Sequence, residues 1–156
     1  MSSRPDRVCT IMTADCLPVL LADYRGTYVG AAHAGWRGLA QGVIEQTVAA
    51  LRASGADQLT AWLGPAIGPE AFEVGIEVRR AFAHLGPQAE VAFKPVPGKA
   101  DKFLADLAGL ARIVLLRSGV TQVSGGGDCT VSDPAKFYSF RRDQITGRMA
   151  SLIWIR

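Results

Sequence analysis

Residues 17–33, LPVLLADYRGTYVGAAH, hold two short apolar runs on either side of an Arg25-Gly26 pair. Apolar runs of this length that are bounded by turn residues are typical of β-strands. Glycine at the second central position suits a tight turn that requires a positive φ. The stretch therefore predicts a β-hairpin with strands at 17–23 and 27–33.

The register of this hairpin would bring together two chemically active side chains. With Arg25 and Gly26 as the turn, Pro18 lies opposite His33. Cys16 lies two residues beyond Pro18, so it points to the same face as His33 at a diagonal distance of about 7–8 Å. A slip of one residue would send one of the two side chains to the other face.

The Cys16–His33 pair is open to three interpretations. A thiolate and an imidazole at this separation can share a metal ion. They can also act as a nucleophile and its base after a small relaxation. Alternatively, Cys16 is a small buried hydrophobe and His33 is a hydrogen-bonded histidine at the end of a strand.

The segment AGWRG at 34–38, which joins the second strand to a predicted helix, favours an enzyme site. Unpaired N–H groups at a helix start attract an anion, and the Arg37 guanidinium matches phosphate or carboxylate. Gly35 lets a ligand approach the backbone closely. Trp36 is either a stacking surface for a planar base or a plug of the core. We therefore expect Gly35, Trp36 and Arg37 to bind substrate, with Arg37 in a phosphate cradle.

Three further polar features have more than one interpretation. Arg142 either pairs with Asp143 or Asp133 at the surface or turns inward to bind substrate. Cys129 is either another site thiol or a buried one. Asp15 directly precedes Cys16, and adjacent side chains of a strand point to opposite faces, so we expect Asp15 to lie outside the site.

The other elements mix helices with strands. Apolar spacing predicts helices at 37–53 and 101–117 and a short helix at 76–85. The proline-rich residues 87–99 are predicted to form a loop. This mixture predicts an α+β fold, a layered sandwich whose central strands are covered on both faces. The remaining strands are predicted at 8–12, 58–63, 120–124 and 148–155.

Composition bounds the class of protein. The 156 residues suit one domain, residues 1–156, and no apolar run reaches the ~20 residues of a bilayer-spanning helix. The N-terminus lacks the apolar stretch of a secretory signal, and three cysteines suit a reducing compartment. The net charge of +3 is scattered, whereas nucleic-acid binding usually needs a basic stripe. We expect a cytoplasmic protein that binds neither membranes nor nucleic acid.

Two long motifs resemble the signature of the YfiH family, also called peptidoglycan editing factor or multicopper-polyphenol-oxidase-like. They are TADCLPV at 13–19 and AHAGWRG at 32–38. Three later segments resemble family segments in the same order, so the resemblance covers essentially the whole chain. These are GPAIGP at 64–69, FEVG at 72–75 and FYSFRRD at 137–143.

The resemblance implies a layered α/β sandwich distantly similar to bacterial toxin deamidases. It implies a zinc site of one cysteine and two histidines, to which Cys16 and His33 would contribute the second and third ligands. The implied activity is phosphorolysis of adenosine, inosine, guanosine and methylthioadenosine, with adenosine deamination, so purine nucleoside and phosphate are the expected ligands. A role in keeping peptidoglycan precursors correct is also attached to the family.

Two other activities are alternatives to the one that the resemblance implies, and the sequence departs from the family pattern at one point. The alternatives are a copper-dependent polyphenol oxidase and a metal-free Cys–His hydrolase or deamidase. No histidine precedes His33, whereas the family's first metal-binding histidine lies in an N-terminal region. We therefore expect the chain to lack an N-terminal part of the domain and its zinc site to be incomplete.

Overall fold

The computed structural model describes residues 1–156 and contains three sheets and six helices. The helices are α1 (Trp36–Ala40), α2 (Val43–Ala53), α3 (Ile76–Ala81), α4 (Pro87–Glu90), α5 (Leu107–Arg117) and α6 (Phe140–Asp143). The strands are β1 (Cys9–Thr13), β2 (Leu17–Asp23), β3 (Val29–Ala34), β4 (Leu59–Leu63), β5 (Glu73–Gly75), β6 (Phe93–Pro95), β7 (Lys102–Ala105), β8 (Gln122–Gly125) and β9 (Met149–Ile153).

The central sheet has four strands in the order β3-β2-β4-β8, with only β4 and β8 parallel. The hairpin register is confirmed, because Pro18 pairs with His33 and Ala22 with Val29. Gly26 has a φ of +69°, and its N–H donates to Asp23 O at 3.0 Å. This hydrogen bond makes Tyr24 and Arg25 the central residues of the turn, in place of the predicted Arg25 and Gly26, whereas the predicted register is kept.

The core lies between one face of this sheet and helices α2 and α5. On β2, Leu17, Val19 and Leu21 are fully buried and belong to the same apolar cluster as Leu51 of α2 and Leu110 of α5. The opposite face of the sheet meets the two-stranded sheet of β1 and β9, since Leu20 and Leu152 line one cleft together. The layered α+β arrangement is confirmed.

The predicted helix at 37–53 is in fact two helices. Gly42 has a φ of +86°, a left-handed conformation that ends α1 and that glycine adopts without steric cost. The helix after it, α2, buries Ile44, Val48 and Leu51, whose spacing places them on one face of the helix.

The predicted helix at 101–117 was wrong at its start. Residues 102–105 form β7, which pairs with both β5 and β6. The helix begins at Leu107 because the Asp106 side chain accepts a hydrogen bond of 2.8 Å from Gly109 N. Phe103 and Leu107 fit either an alternating or a helical pattern, so periodicity alone did not distinguish them.

Four short elements fall outside the predictions. The predicted loop at 87–99 contains α4 and β6, and neither β5 nor α6 was predicted. Each has only three or four residues, too few to show a period. Separately, no helix has the length and apolar character needed to cross a membrane.

Candidate active site

A mainly apolar cavity of about 150 Å³ opens beside Cys16. Its walls come from five parts of the chain: the loop before β2, the start of α1, the segment before β5, the start of α5, and α6. The lining residues with ionisable side chains are Asp15, Cys16 and Arg141. Aromatic rings of Trp36, Phe72 and Phe140 complete the lining. An apolar pocket with a few convergent polar groups is the usual form of a small-molecule site.

Two wider clefts lie elsewhere on the molecule. One, of about 490 Å³, lies between Trp62 and Leu152. The other, of about 640 Å³, includes Tyr138 and Arg142. Neither cleft has a cysteine or a histidine in its lining. The cavity at Cys16 is therefore the candidate site on chemical grounds despite its smaller volume.

Cys16 and His33 both lie beside Gly35. A β-carbon placed on Gly35 would lie 2.8 Å from Cys16 Sγ and 3.9 Å from His33 Cδ2. The Cys16 side chain is half-buried and the His33 ring is exposed. The absence of a side chain at Gly35 thus leaves the space in which thiol and imidazole approach each other.

The surroundings of the Cys16 thiol favour its neutral form. Burial raises its pKa, and the neighbouring Asp15 carboxylate raises it further, whereas Arg148 opposes both effects. Reactive cysteine nucleophiles have a lowered pKa, because the thiolate is the attacking species. This environment disfavours a metal-free Cys–His dyad.

Cys16 and His33 fit a zinc site only in part. Sulfur and imidazole nitrogen are suitable zinc donors, and catalytic zinc usually has three protein ligands. Within the structure, no group of three or more Cys, His, Asp or Glu side chains could hold a metal ion. The other histidine, His84, lies away from the cavity in the short 3₁₀ turn Ala83–Leu85, with its Nδ1 3.0 Å from Ala81 O. The chain thus presents two zinc donors.

The segment after His33 is arranged differently from the predicted phosphate cradle. Helix α1 has only five residues, too short for a strong N-terminal dipole. The Arg37 guanidinium lies 4.5 Å from the ring centroid of Trp36, and Arg37 is exposed and absent from the cavity lining. Trp36 packs against the core, which is one of the two roles considered for it, and it also lines the cavity.

The two adjacent arginines of α6 have different environments. Arg142 donates to Thr130 O at 2.8 Å and to Phe137 O at 3.0 Å, and it pairs with Asp143. These contacts stabilise the loop before α6, which is a structural role. Arg141 is the arginine that lines the cavity.

Asp15 is a site residue that the strand-parity argument placed outside the site. Its φ of +88° takes it out of the strand geometry on which that argument depended. The carboxylate is buried, and it accepts hydrogen bonds of 2.6 Å from Thr130 Oγ1 and from Arg141 N. Its own backbone O accepts from Ile67 N at 2.9 Å. Asp15 therefore joins the loop that carries Cys16 to three distant parts of the chain.

Cys129 lies outside the cavity. Its Sγ accepts hydrogen bonds of 3.2 Å from Gly68 N and from Ser132 Oγ. Burial raises the pKa of this thiol, but the hydrogen bonds from Ser132, Gly68 and Val131 outweigh burial and lower it overall. The structure gives Cys129 no contact with Cys16 or His33.

Sequence comparison identifies the family. A family described as multi-copper polyphenol oxidoreductase laccase matches residues 1–156. The chain belongs to this family, the YfiH family. The YfiH motifs at 13–19 and 32–38 accordingly surround the cavity just described.

Similar YfiH-family proteins are longer than this chain. The chain is 58% identical to a purine nucleoside phosphorylase of Pseudomonas aeruginosa, over 99% of the chain and 63% of that protein. It is 53% identical to the purine nucleoside phosphorylase YfiH of Escherichia coli, over 99% of the chain and 62% of that protein. A crystal structure of a Neisseria meningitidis protein superimposes with a TM-score of 0.88 at 54% identity, over 95% of the chain and 60% of that protein. The chain thus spans about three fifths of the length of these relatives.

Proposed function

We propose that the protein cleaves purine nucleosides by phosphorolysis in the cavity beside Cys16. The observation that carries the proposal is that Cys16 and His33 both flank Gly35, which lines an aromatic-walled cavity together with Cys16 and Arg141. Support comes from relatives at 53–58% identity that are named purine nucleoside phosphorylases.

The cavity offers the contacts that a purine base requires. Trp36, Phe72 and Phe140 present flat rings, and such rings pack well against a planar heterocycle. The mostly apolar lining also keeps water away from the reacting bond. Exclusion of water favours transfer of the sugar to phosphate over hydrolysis.

The reaction exchanges one bond at the anomeric carbon of the sugar. A phosphate oxygen forms a bond to C1′ as the bond between C1′ and the purine N9 breaks. The base leaves with the bonding electrons and takes up a proton, and the sugar 1-phosphate is the second product. Binding both reactants in one cavity orients them and lowers the entropic part of the barrier.

Zinc belongs to the proposal, with Cys16 and His33 as two of its donors. When bound, zinc would supply a Lewis acid and lower the pKa of a bound water to about 7. That chemistry would also serve the deamination of adenosine, which we propose as a second activity of the site.

A multicopper oxidase is the competing function, since the family description names one. Phenol oxidation by several coppers requires many histidine ligands. The chain has two histidines, and only His33 lies near the cavity, beside its lining residue Gly35. The donor set therefore favours the nucleoside reaction.

Product analysis tests the proposal. The purified chain is incubated with inosine or adenosine, with and without inorganic phosphate, and the products are separated by chromatography. We expect free base and ribose 1-phosphate only when phosphate is present, and inosine from adenosine without phosphate. Oxygen uptake with a phenol, in the absence of any base release, would support the oxidase instead.

A further inference from the structure

We propose that Arg141 binds the phosphate co-substrate. This inference rests on the proposed phosphorolysis and names the residue that would hold its second reactant. Arg37 was the candidate from sequence, but its guanidinium covers the ring of Trp36 outside the cavity. Arg141 lines the same cavity as Cys16.

The hydrogen bonds of the two neighbouring arginines single out Arg141. Arg142 gives its guanidinium N–H groups to three backbone carbonyls and to the Asp143 carboxylate. In contrast, the Arg141 guanidinium makes one hydrogen bond, from Nη1 to Glu73 O at 3.1 Å. A guanidinium has five N–H donors in a planar fork that matches phosphate. Most donors of Arg141 therefore remain available to an anion.

The Arg141 side chain is exposed but oriented toward Phe72 and Glu73, and its backbone is anchored at Asp15. Its backbone N–H donates to the buried Asp15 carboxylate at 2.6 Å, and its guanidinium lies 5.6 Å from the Phe72 ring centroid. Since Asp15 precedes Cys16 directly, the same loop carries the thiol and orients the arginine. The anchored backbone thus places the arginine beside the cavity, where its guanidinium can reach an anion.

The charges around Arg141 are compatible with an anion. Both oxygens of Asp15 already accept hydrogen bonds, from Thr130 and from the Arg141 backbone. The carboxylate of Glu73 is paired with Lys99 at 2.7 Å. The hydrogen bond from Lys99 lowers the pKa of Glu73, and Lys102 and Arg141 lower it further. Cations therefore offset the carboxylates on this side of the cavity.

The test compares Arg141→Ala with a matched charge deletion, Arg80→Ala, at an exposed position of α3. We expect Arg141→Ala to raise the KM for inorganic phosphate about 10- to 100-fold, the range for loss of charged hydrogen bonds. The KM for inosine should change less than about threefold, and Arg141→Lys should recover part of the phosphate affinity. Circular dichroism checks that each variant is folded.

Two results would overturn the assignment. One is an unchanged phosphate KM in Arg141→Ala, and the other is an equal rise in the KM values for phosphate and inosine, which would indicate a general structural role. If the wild-type chain shows no phosphate-dependent turnover, the proposed function fails. Calorimetric titration with inorganic phosphate then tests, independently of activity, whether Arg141 binds phosphate. Binding to wild type that is lost in Arg141→Ala supports the assignment, whereas no binding, or equal binding, contradicts it.

Discussion

The carboxylate of Asp15 accepts a hydrogen bond of 2.6 Å from the hydroxyl of Thr130, and both residues are buried. This contact joins positions 115 residues apart in the chain. It fixes the loop before Cys16 against the segment that leads to α6. The geometry of the cavity therefore depends on a polar contact between two loops as well as on the central sheet.

Thr130→Val should destabilise the protein. The substitution removes the hydroxyl that donates to Asp15 and leaves a buried carboxylate oxygen without that partner, at a cost of about 1–3 kcal/mol. Urea denaturation followed by circular dichroism measures the free energy of unfolding. Thr121→Val, at an exposed position, is the control and should change stability by less than about 0.5 kcal/mol. Equal stability of the two variants would contradict a structural role for the Asp15–Thr130 contact.

Gly35→Ala should damage the site without straining the backbone. Gly35 has a φ of −59°, which alanine adopts freely, but the added β-carbon would lie 2.8 Å from Cys16 Sγ. The thiol must shift, and a displacement of about 1 Å can cost on the order of 100-fold in rate. We expect kcat/KM for inosine to fall at least tenfold.

Gly127→Ala is the control for Gly35→Ala. A β-carbon at Gly127 would meet no heavy atom within 4 Å, and its φ is not positive. The kcat/KM of Gly127→Ala for inosine should equal that of wild type. Wild-type activity in Gly35→Ala would show that the position of Cys16 does not matter for the reaction.

The hairpin that orients His33 should lose stability in acid through Asp23. Burial raises the pKa of the Asp23 carboxyl, but hydrogen bonds from Tyr28 N, Thr27 Oγ1 and Thr27 N lower it overall. Because folding lowers this pKa, the ionised carboxylate stabilises the protein at pH values above the pKa of the unfolded chain, about 3.9. This stabilisation is lost as the pH falls through the pKa of the folded state.

Asp23→Asn tests that pH dependence. We expect it to lower the free energy of unfolding by about 1–3 kcal/mol at pH 7, and the gap from wild type should narrow below about pH 4. Denaturation curves at pH 7, 5 and 3 measure the gap. A difference that stays constant across these pH values would exclude ionisation of Asp23 as its source.

The sequence predicts the part of the site that depends on a local pattern. The alternation in residues 17–33 and the turn at Gly26 determine the register of β2 and β3. Their pairing in turn places Cys16 and His33 on one side of Gly35. A hairpin is a local structure, so sixteen or so residues carry enough information to fix it.

The rest of the site depends on contacts that no local pattern encodes. Arg141 enters the cavity because its backbone N–H binds Asp15, 126 positions away. Asp15 itself adopts a positive φ, so the rule that adjacent strand residues face opposite ways does not apply to it. Arg141 and Arg142 are the same residue type in the same short helix, so the local sequence does not distinguish them. Only their contacts with other parts of the chain assign a structural role to Arg142 and a place at the cavity to Arg141.

The most direct test of the account compares two cysteine substitutions in one assay, phosphate-dependent release of free base from inosine. Cys16→Ser removes the thiol at the cavity, whereas Cys9→Ser changes a free cysteine of β1 outside the cavity lining. We expect wild type and Cys9→Ser to release base at the same rate and Cys16→Ser to lose at least about 100-fold, a typical loss when a central catalytic group is removed. Equal rates in Cys16→Ser and Cys9→Ser would contradict the claim that catalysis takes place at Cys16.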